Sequence, residues 1–153
     1  MSPVLHLFVV IFSFFSILAA PVFAAGTDDG SSAASTTKAG YADAKAMVKA
    51  GNYDAALPAL EAITKDDPKN ADAWNMLGFT HRMLGHMEES SQAYLKVLTI
   101  NPNHLGALEY QGELFLQTGK PDQAKANLAK LQGLCGDCEE VKDLQKAITA
   151  AGV

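Results

Sequence analysis

Charge is absent where the chain begins: residues 1–24 contain no Asp, Glu, Lys or Arg. Phe is scarce after that point. Five of the seven Phe lie in this leader (Phe8, Phe12, Phe14, Phe15 and Phe23), which leaves two for residues 25–153. Basic residues are in deficit, with 12 Lys+Arg against 17 Asp+Glu and a net charge of −5. A strong nucleic-acid binder needs a net or local excess of Lys and Arg to neutralise phosphate, so the composition argues against one. The 153 residues suit one domain, with little room for a βαβ sheet and catalytic loops. Catalytic signatures are missing as well: there is no G-x-S-x-G, H-E-x-x-H, P-loop or Rossmann glycine triplet. The acidic pairs Asp66-Asp67 and Glu88-Glu89 are adjacent in sequence and diverge on a helix, so they make no facing acid/base dyad. The expectation is a non-enzyme without a cofactor.

Val4 to Ala20 is dominated by Leu, Val, Ile and Phe, with His6 its one ionisable residue. Pro21 then breaks a helix, and Val22-Phe23-Ala24 places small residues at −3 and −1 of a cut after Ala24. This pattern reads as a signal peptide over residues 1–24, and export suggests the bacterial periplasm. The n-region lacks Lys and Arg, and a run of this length can also span a bilayer, so an uncleaved anchor is the alternative. Any membrane contact is expected only through that leader. Residues 25–36 are rich in Gly, Ser, Thr and Asp without an apolar period, and are expected to form a flexible linker.

The rest of the chain is periodic. Gly51, Gly85 and Gly119 recur every 34 residues; so do Ala56, Ser90 and Ala124, then Leu60, Tyr94 and Leu128, then Ile63, Val97 and Leu131. Pro68 and Pro102 keep the spacing, with Gly136 at the third equivalent position. Within the middle copy, Trp74, Leu77, Gly78 and His81 mark one helical face, and Gly85 supplies a left-handed stop. Ala93, Tyr94, Val97 and Leu98 mark a second helix, which Asn101-Pro102 ends. Gly78 and Ser90 are small enough to let the two helices approach closely.

Trp74-x-x-Leu77-Gly78 followed by Ser90, Tyr94 and Pro102 resembles the tetratricopeptide repeat, a 34-residue helix–turn–helix unit. The third copy matches at Leu108, Gly112, Phe115, Gly119, Ala124 and Leu128, but has Gln111 in place of a Leu. The first copy is weaker, with Gly40 and Asp43 at the Trp and Leu positions. The resemblance implies an all-α, right-handed α-solenoid of about three such units, over residues 37–70, 71–104 and 105–136. Val141, Leu144 and Ile148 form a narrow apolar stripe, so residues 137–153 should supply a helix that caps the open end.

Tetratricopeptide arrays line their concave side with the first helix of each repeat. The groove-facing positions implied here are Lys38, Tyr41, Lys45, Val48 and Lys49 in the first copy. Asp72, Asn75, Phe79, Arg82 and Met83 follow in the second, and Gly106, Glu109, Glu113, Leu116 and Gln117 in the third. The groove would run from a basic end through an aromatic and thioether centre to an acidic end, which suits a peptide or protein partner. Chaperone-binding relatives use lysines, asparagines and an arginine to clamp a C-terminal carboxylate. Glu109 and Glu113 stand where such a clamp needs basic residues.

Cys135 and Cys138 are the only cysteines, and lie between the last repeat and the cap. In an oxidising compartment they would form a structural disulfide that fixes the turn. A thiol–disulfide exchange role is the functional alternative, since Cys138 precedes a helix. Glu139 and Glu140 oppose a thiolate there, and no thioredoxin-like βαβ pattern surrounds it. Glu139 also replaces the His of a haem-attachment motif. A metal site would need two further ligands. His81, His86 and His104 are too widely spaced for a known motif, His81 reads as a core residue, and His104 or Asp137 would be the additions. Two function classes therefore stand: an exported adaptor that binds a protein or peptide, and a small redox or metal-handling protein using C-x-x-C. Self-association through the solenoid ends is a third reading.

Overall fold

The computed structural model describes residues 31–153, with side chains from residue 40 onward; the expected signal peptide and residues 25–30 lie outside the described residues. Seven helices follow in order: α1 Ser31–Lys49, α2 Tyr53–Asp66, α3 Ala71–Met83, α4 Met87–Ile100, α5 Leu105–Gln117, α6 Pro121–Cys135 and α7 Glu139–Ala150. The described residues contain no strand. None of these helices is long and apolar enough to cross a membrane. α1 begins at Ser31, inside the segment expected to be a linker. Once a helix is nucleated, each added residue gains a hydrogen bond, so polar turns can extend it without an apolar face.

Each repeat turns at the same place by the same means. Gly51, Gly85 and Gly119 have φ of 76°, 82° and 71°, the left-handed conformation that a side chain disfavours. The residue after each glycine donates its N–H to a carbonyl five positions back: Asn52 to Met47, His86 to His81 and Lys120 to Phe115. These are the outer bonds of Schellman caps, which satisfy carbonyls left over at the helix end. The first helix of the next repeat is capped at equivalent positions. Asn70 Oδ1 accepts from Ala73 N–H at 3.0 Å, and His104 Nδ1 accepts from Ala107 N–H at 3.1 Å.

Within a repeat the two helices meet at a small residue. A Cβ on Gly78 would lie 2.7 Å from Tyr94 Cε1, and Ser90 Oγ donates to Gly78 O at 2.8 Å. Glycine here is a packing requirement set by a fully buried aromatic ring. In the third repeat, Asn127 Nδ2 donates both to Leu108 O and to the Oε1 of buried Gln111. That pairing explains how a polar residue replaces the usual Leu without an unsatisfied amide.

Three core clusters follow one another along the array. Ala44, Val48, Leu60, Ile63 and Leu77 form the first; Tyr94, Val97, Ala107 and Leu114 form the second. Leu108, Leu128, Leu131, Val141, Leu144 and Ile148 form the last. Among the described residues, α1 touches α3, α3 touches α5 and α5 touches α7, whereas α2, α4 and α6 do not touch one another. First helices packed together and second helices splayed apart curve the array. The concave side is therefore made of α1, α3, α5 and the cap helix α7.

Candidate functional site

Side chains on the concave side meet their neighbours with a regular offset. Tyr41 Oη approaches Asp72 O at 3.4 Å, a spacing of 31 residues. Phe79 packs on Tyr110 with ring centroids 5.0 Å apart, and Arg82 Nη2 pairs with Glu113 Oε2 at 2.5 Å. Asn75 Nδ2 lies 3.1 Å from where Gly106 would carry a Cβ. All four pairs are 31 apart, which is one repeat less about one helical turn. Adjacent first helices are thus staggered by a turn.

The centre of the groove is an aromatic row that carries a buried cation. Phe79 sits between Tyr110 and Tyr53, the latter at 6.2 Å. All three rings are partly exposed. The Arg82 guanidinium lies 5.3 Å from the Phe79 centroid and 5.8 Å from that of Tyr110. Met83, 45% exposed, extends the apolar surface. Arg82 itself is only 7% exposed. Its charge is held by Glu113 and two rings and is not a free cation.

The other positions named from the repeat register divide. Lys45 and Lys49 are exposed and Tyr41 is half-buried, while the Lys38 side chain lies outside the described residues. Val48 belongs to the core, because its side chain turns toward Ala44 and Leu60, so the expectation that it faces the groove is corrected. Asp72 accepts from His104 at 3.0 Å, which leaves His104 occupied as an N-cap and not as a metal ligand. Buried Asn75 leaves its Oδ1 without a hydrogen-bond partner. Gly106 is half-buried beside it, Leu116 packs toward the last core cluster and Gln117 is exposed.

Beyond the aromatic row the groove turns acidic. Asn75, Gly106, Glu109 and Tyr110 line a cleft of about 220 Å³ together with Glu139, Glu140 and Asp143 of α7. Glu109 is 8% exposed. Burial raises its carboxyl pKa first, and Glu113, Asp143 and Glu140 add repulsion, against a smaller opposing pull from Arg82; together they push it up to about 8. Tyr110 is raised by burial and then by Glu109 and Glu113. Tyr53, Tyr110 and the three α7 acids were not among the groove positions implied by the repeat register. The 31-residue stagger would have paired Tyr110 with Phe79 and Glu140 with Glu109.

At the end of α6, Cys135 Sγ is bonded to Cys138 Sγ, and Cys138 is the N-cap of α7. Among the described residues, Cys135, Cys138 and Glu140 form the one group of three possible metal ligands within 4.8 Å, and both its sulfurs are in the disulfide. His81 and His86 face each other, Nδ1 to Nδ1, at 3.4 Å. Burial lowers the His81 pKa, and His86 lowers it further.

A sequence profile for the tetratricopeptide repeat matches residues 41–104. Those residues are tetratricopeptide repeats, and α5 and α6 continue the same helix–turn–helix architecture. The chain is 34% identical over 82 residues to human general transcription factor 3C polypeptide 3, which covers 53% of this chain and 9% of that protein. Solved structures share the fold. One is the Yersinia enterocolitica type III secretion translocator chaperone SycD in complex with a peptide of YopD (TM-score 0.67, 20% identity, covering 76% of this chain and 89% of that one). Another is PcrH with the chaperone-binding region of PopD (0.69, 21%, 77% and 92%). A third is the first tetratricopeptide domain of Spaghetti (RPAP3) bound to the HSP90 peptide SRMEEVD (0.67, 17%, 76% and 94%).

Proposed function

We propose that this protein is a non-catalytic interaction module whose concave groove holds an extended peptide or helix of a partner protein. The observation that carries the reading is the pair of partly exposed rings Phe79 and Tyr110 on the concave side, with Tyr53 from the first turn of α2 against Phe79 and exposed Met83 a turn away. Such rings are ordered before binding, and a partner's apolar side chain gains their buried area at low entropic cost. Arrays of the same fold bind peptides of a translocator and of HSP90 in the complexes compared above. The acidic end of this groove is unsuited to a peptide such as SRMEEVD, so the partner segment here is of a different charge.

The adaptor is exported and works in the cell envelope on this reading. The apolar leader of residues 1–24 supports export, and a disulfide within C-x-x-C fits an oxidising compartment. The test is to pan random dodecapeptides on the full chain and measure the enriched binders by fluorescence anisotropy. Phe79→Ala should weaken them at least tenfold, and a Ser substitution at exposed Leu95 on the outer helix α4 should leave them unchanged. Binders that ignore Phe79, or no binders at all, would contradict the groove reading.

A further inference from the structure

The stagger that pairs groove residues also exposes where pairing fails. At spacing 31 the array sets Phe79 on Tyr110 and Arg82 on Glu113, both complementary. The next such position sets Glu109 of α5 against Glu140 of α7, and Asp143 and Glu139 join them around one cleft. Like charges gathered around a partly enclosed space raise the free energy of the empty state. The cap helix has basic residues, but Lys142 and Lys146 line a different depression, with Gln132 and Gly136, and Lys142 pairs with Asp137 at 3.2 Å. α7 therefore sorts its charges, acids toward the groove and lysines away. A second, independent observation lies on the facing helix. Asn75 lines the same cleft, is 8% exposed, and leaves its Oδ1, an acceptor, without a donor.

The missing group is thus a cation that also donates hydrogen bonds. A bound metal ion would need three or more ligand atoms converging at bonding distance. The cleft carboxylates do not converge so: among the described residues, the one such group is Cys135, Cys138 and Glu140 at the disulfide. Acids spread around a wall suit an ammonium or guanidinium, whose several N–H donors point in different directions. The cleft adjoins the aromatic row through Tyr110, so a peptide lying on Phe79 passes its mouth. We propose that the cleft lined by Asn75, Glu109, Glu139, Glu140 and Asp143 receives one lysine or arginine side chain of the groove-bound peptide, an inference that rests on the groove reading above. The groups facing it are Glu109, Glu113 and Tyr110 from α5, Glu139, Glu140 and Asp143 from α7, and Arg82 and Asn75 from α3. Entry of a cation favours the ionised form of Glu109, so binding near neutral pH releases a proton.

The cleft can be tested without any peptide. The full chain, carbon-13 labelled at Asp and Glu carboxyls, is titrated at pH 7 with the methylamides of acetyl-lysine, acetyl-arginine and the uncharged acetyl-norleucine, and separately with Ca²⁺. The two cationic amides should shift the Glu109 carboxyl saturably toward the carboxylate position, and the norleucine amide should not. Glu109→Gln with Asp143→Asn should weaken the lysine amide at least tenfold, read at the Glu140 carboxyl, with helicity checked by circular dichroism. No saturable shift, equal shifts with norleucine, or the same shifts from Ca²⁺ at lower concentration would overturn the proposal. Failure of the amides with Phe79-dependent peptide binding intact would sink the cleft alone. Loss of Phe79-dependent binding concerns the groove, so the two failures are separable.

Discussion

Replacing Glu109 with Gln should stabilise the protein at high pH and do almost nothing at low pH. In the folded chain the carboxyl titrates at about 8 against an ordinary 4.5, because burial and the acids of α5 and α7 resist its ionisation. Between those values the unfolded chain has lost a proton that the folded chain still holds. Stability must therefore fall as pH rises through this window and level off above about 8. At about 1.4 kcal/mol per pH unit, full insulation from solvent would set a ceiling of about 5 kcal/mol. The cleft is open at its mouth, so screening should leave about 1–2 kcal/mol. Glutamine keeps the shape without the charge. At pH 9 the variant should melt about 4–8 °C above the parent, and at pH 5 the two should agree within about 0.5 kcal/mol. His81, whose pKa is lowered by burial and His86, destabilises both proteins alike below its ordinary range and cancels in the comparison. The assay is thermal denaturation by circular dichroism from pH 5 to 9. A pH-independent difference, or a variant less stable at pH 9, would mean that Glu109 is ionised and paired in the fold.

Gly78→Ala puts a methyl 2.7 Å from the Tyr94 ring and should cost about 1–3 kcal/mol in a denaturant melt, although alanine is the better helix former. Gly112→Ala meets Leu144 at 2.6 Å, so hydrogen exchange should accelerate in α7 well before α1 to α4. Serine at both Cys135 and Cys138 should cost about 2 kcal/mol or less, because the closed loop is short, and should leave peptide affinity within about twofold. A larger loss of affinity would revive a functional role for the thiols.

The fold was legible because packing repeats. Gly51, Gly85 and Gly119 must turn the chain in every unit, and Gly78 and Gly112 must admit Tyr94 and Leu144 in the second and third, so these demands print a period on the sequence. The groove was less legible, because register states which face a residue occupies and not what lies across from it. Arg82 reads as a free cation until Glu113 is placed beside it one turn out of register. Val48 falls on a groove position by count, yet packs into the core of the weakest repeat. The cap helix hid the most. Its apolar stripe of Val141, Leu144 and Ile148 announces a cap, and nothing in that stripe says that Glu139, Glu140 and Asp143 turn toward Glu109.

The central claim is that the concave side, α1, α3, α5 and α7, is the binding surface. Amide chemical-shift mapping with one enriched dodecapeptide tests it most directly. The account predicts that the amides perturbed at saturation cluster around Phe79, Tyr110, Glu109 and Asp143, with α2, α4 and α6 quiet beyond their first turns. Perturbations centred on the outer faces of α4 and α6, with Phe79 and Tyr110 unmoved, would contradict it.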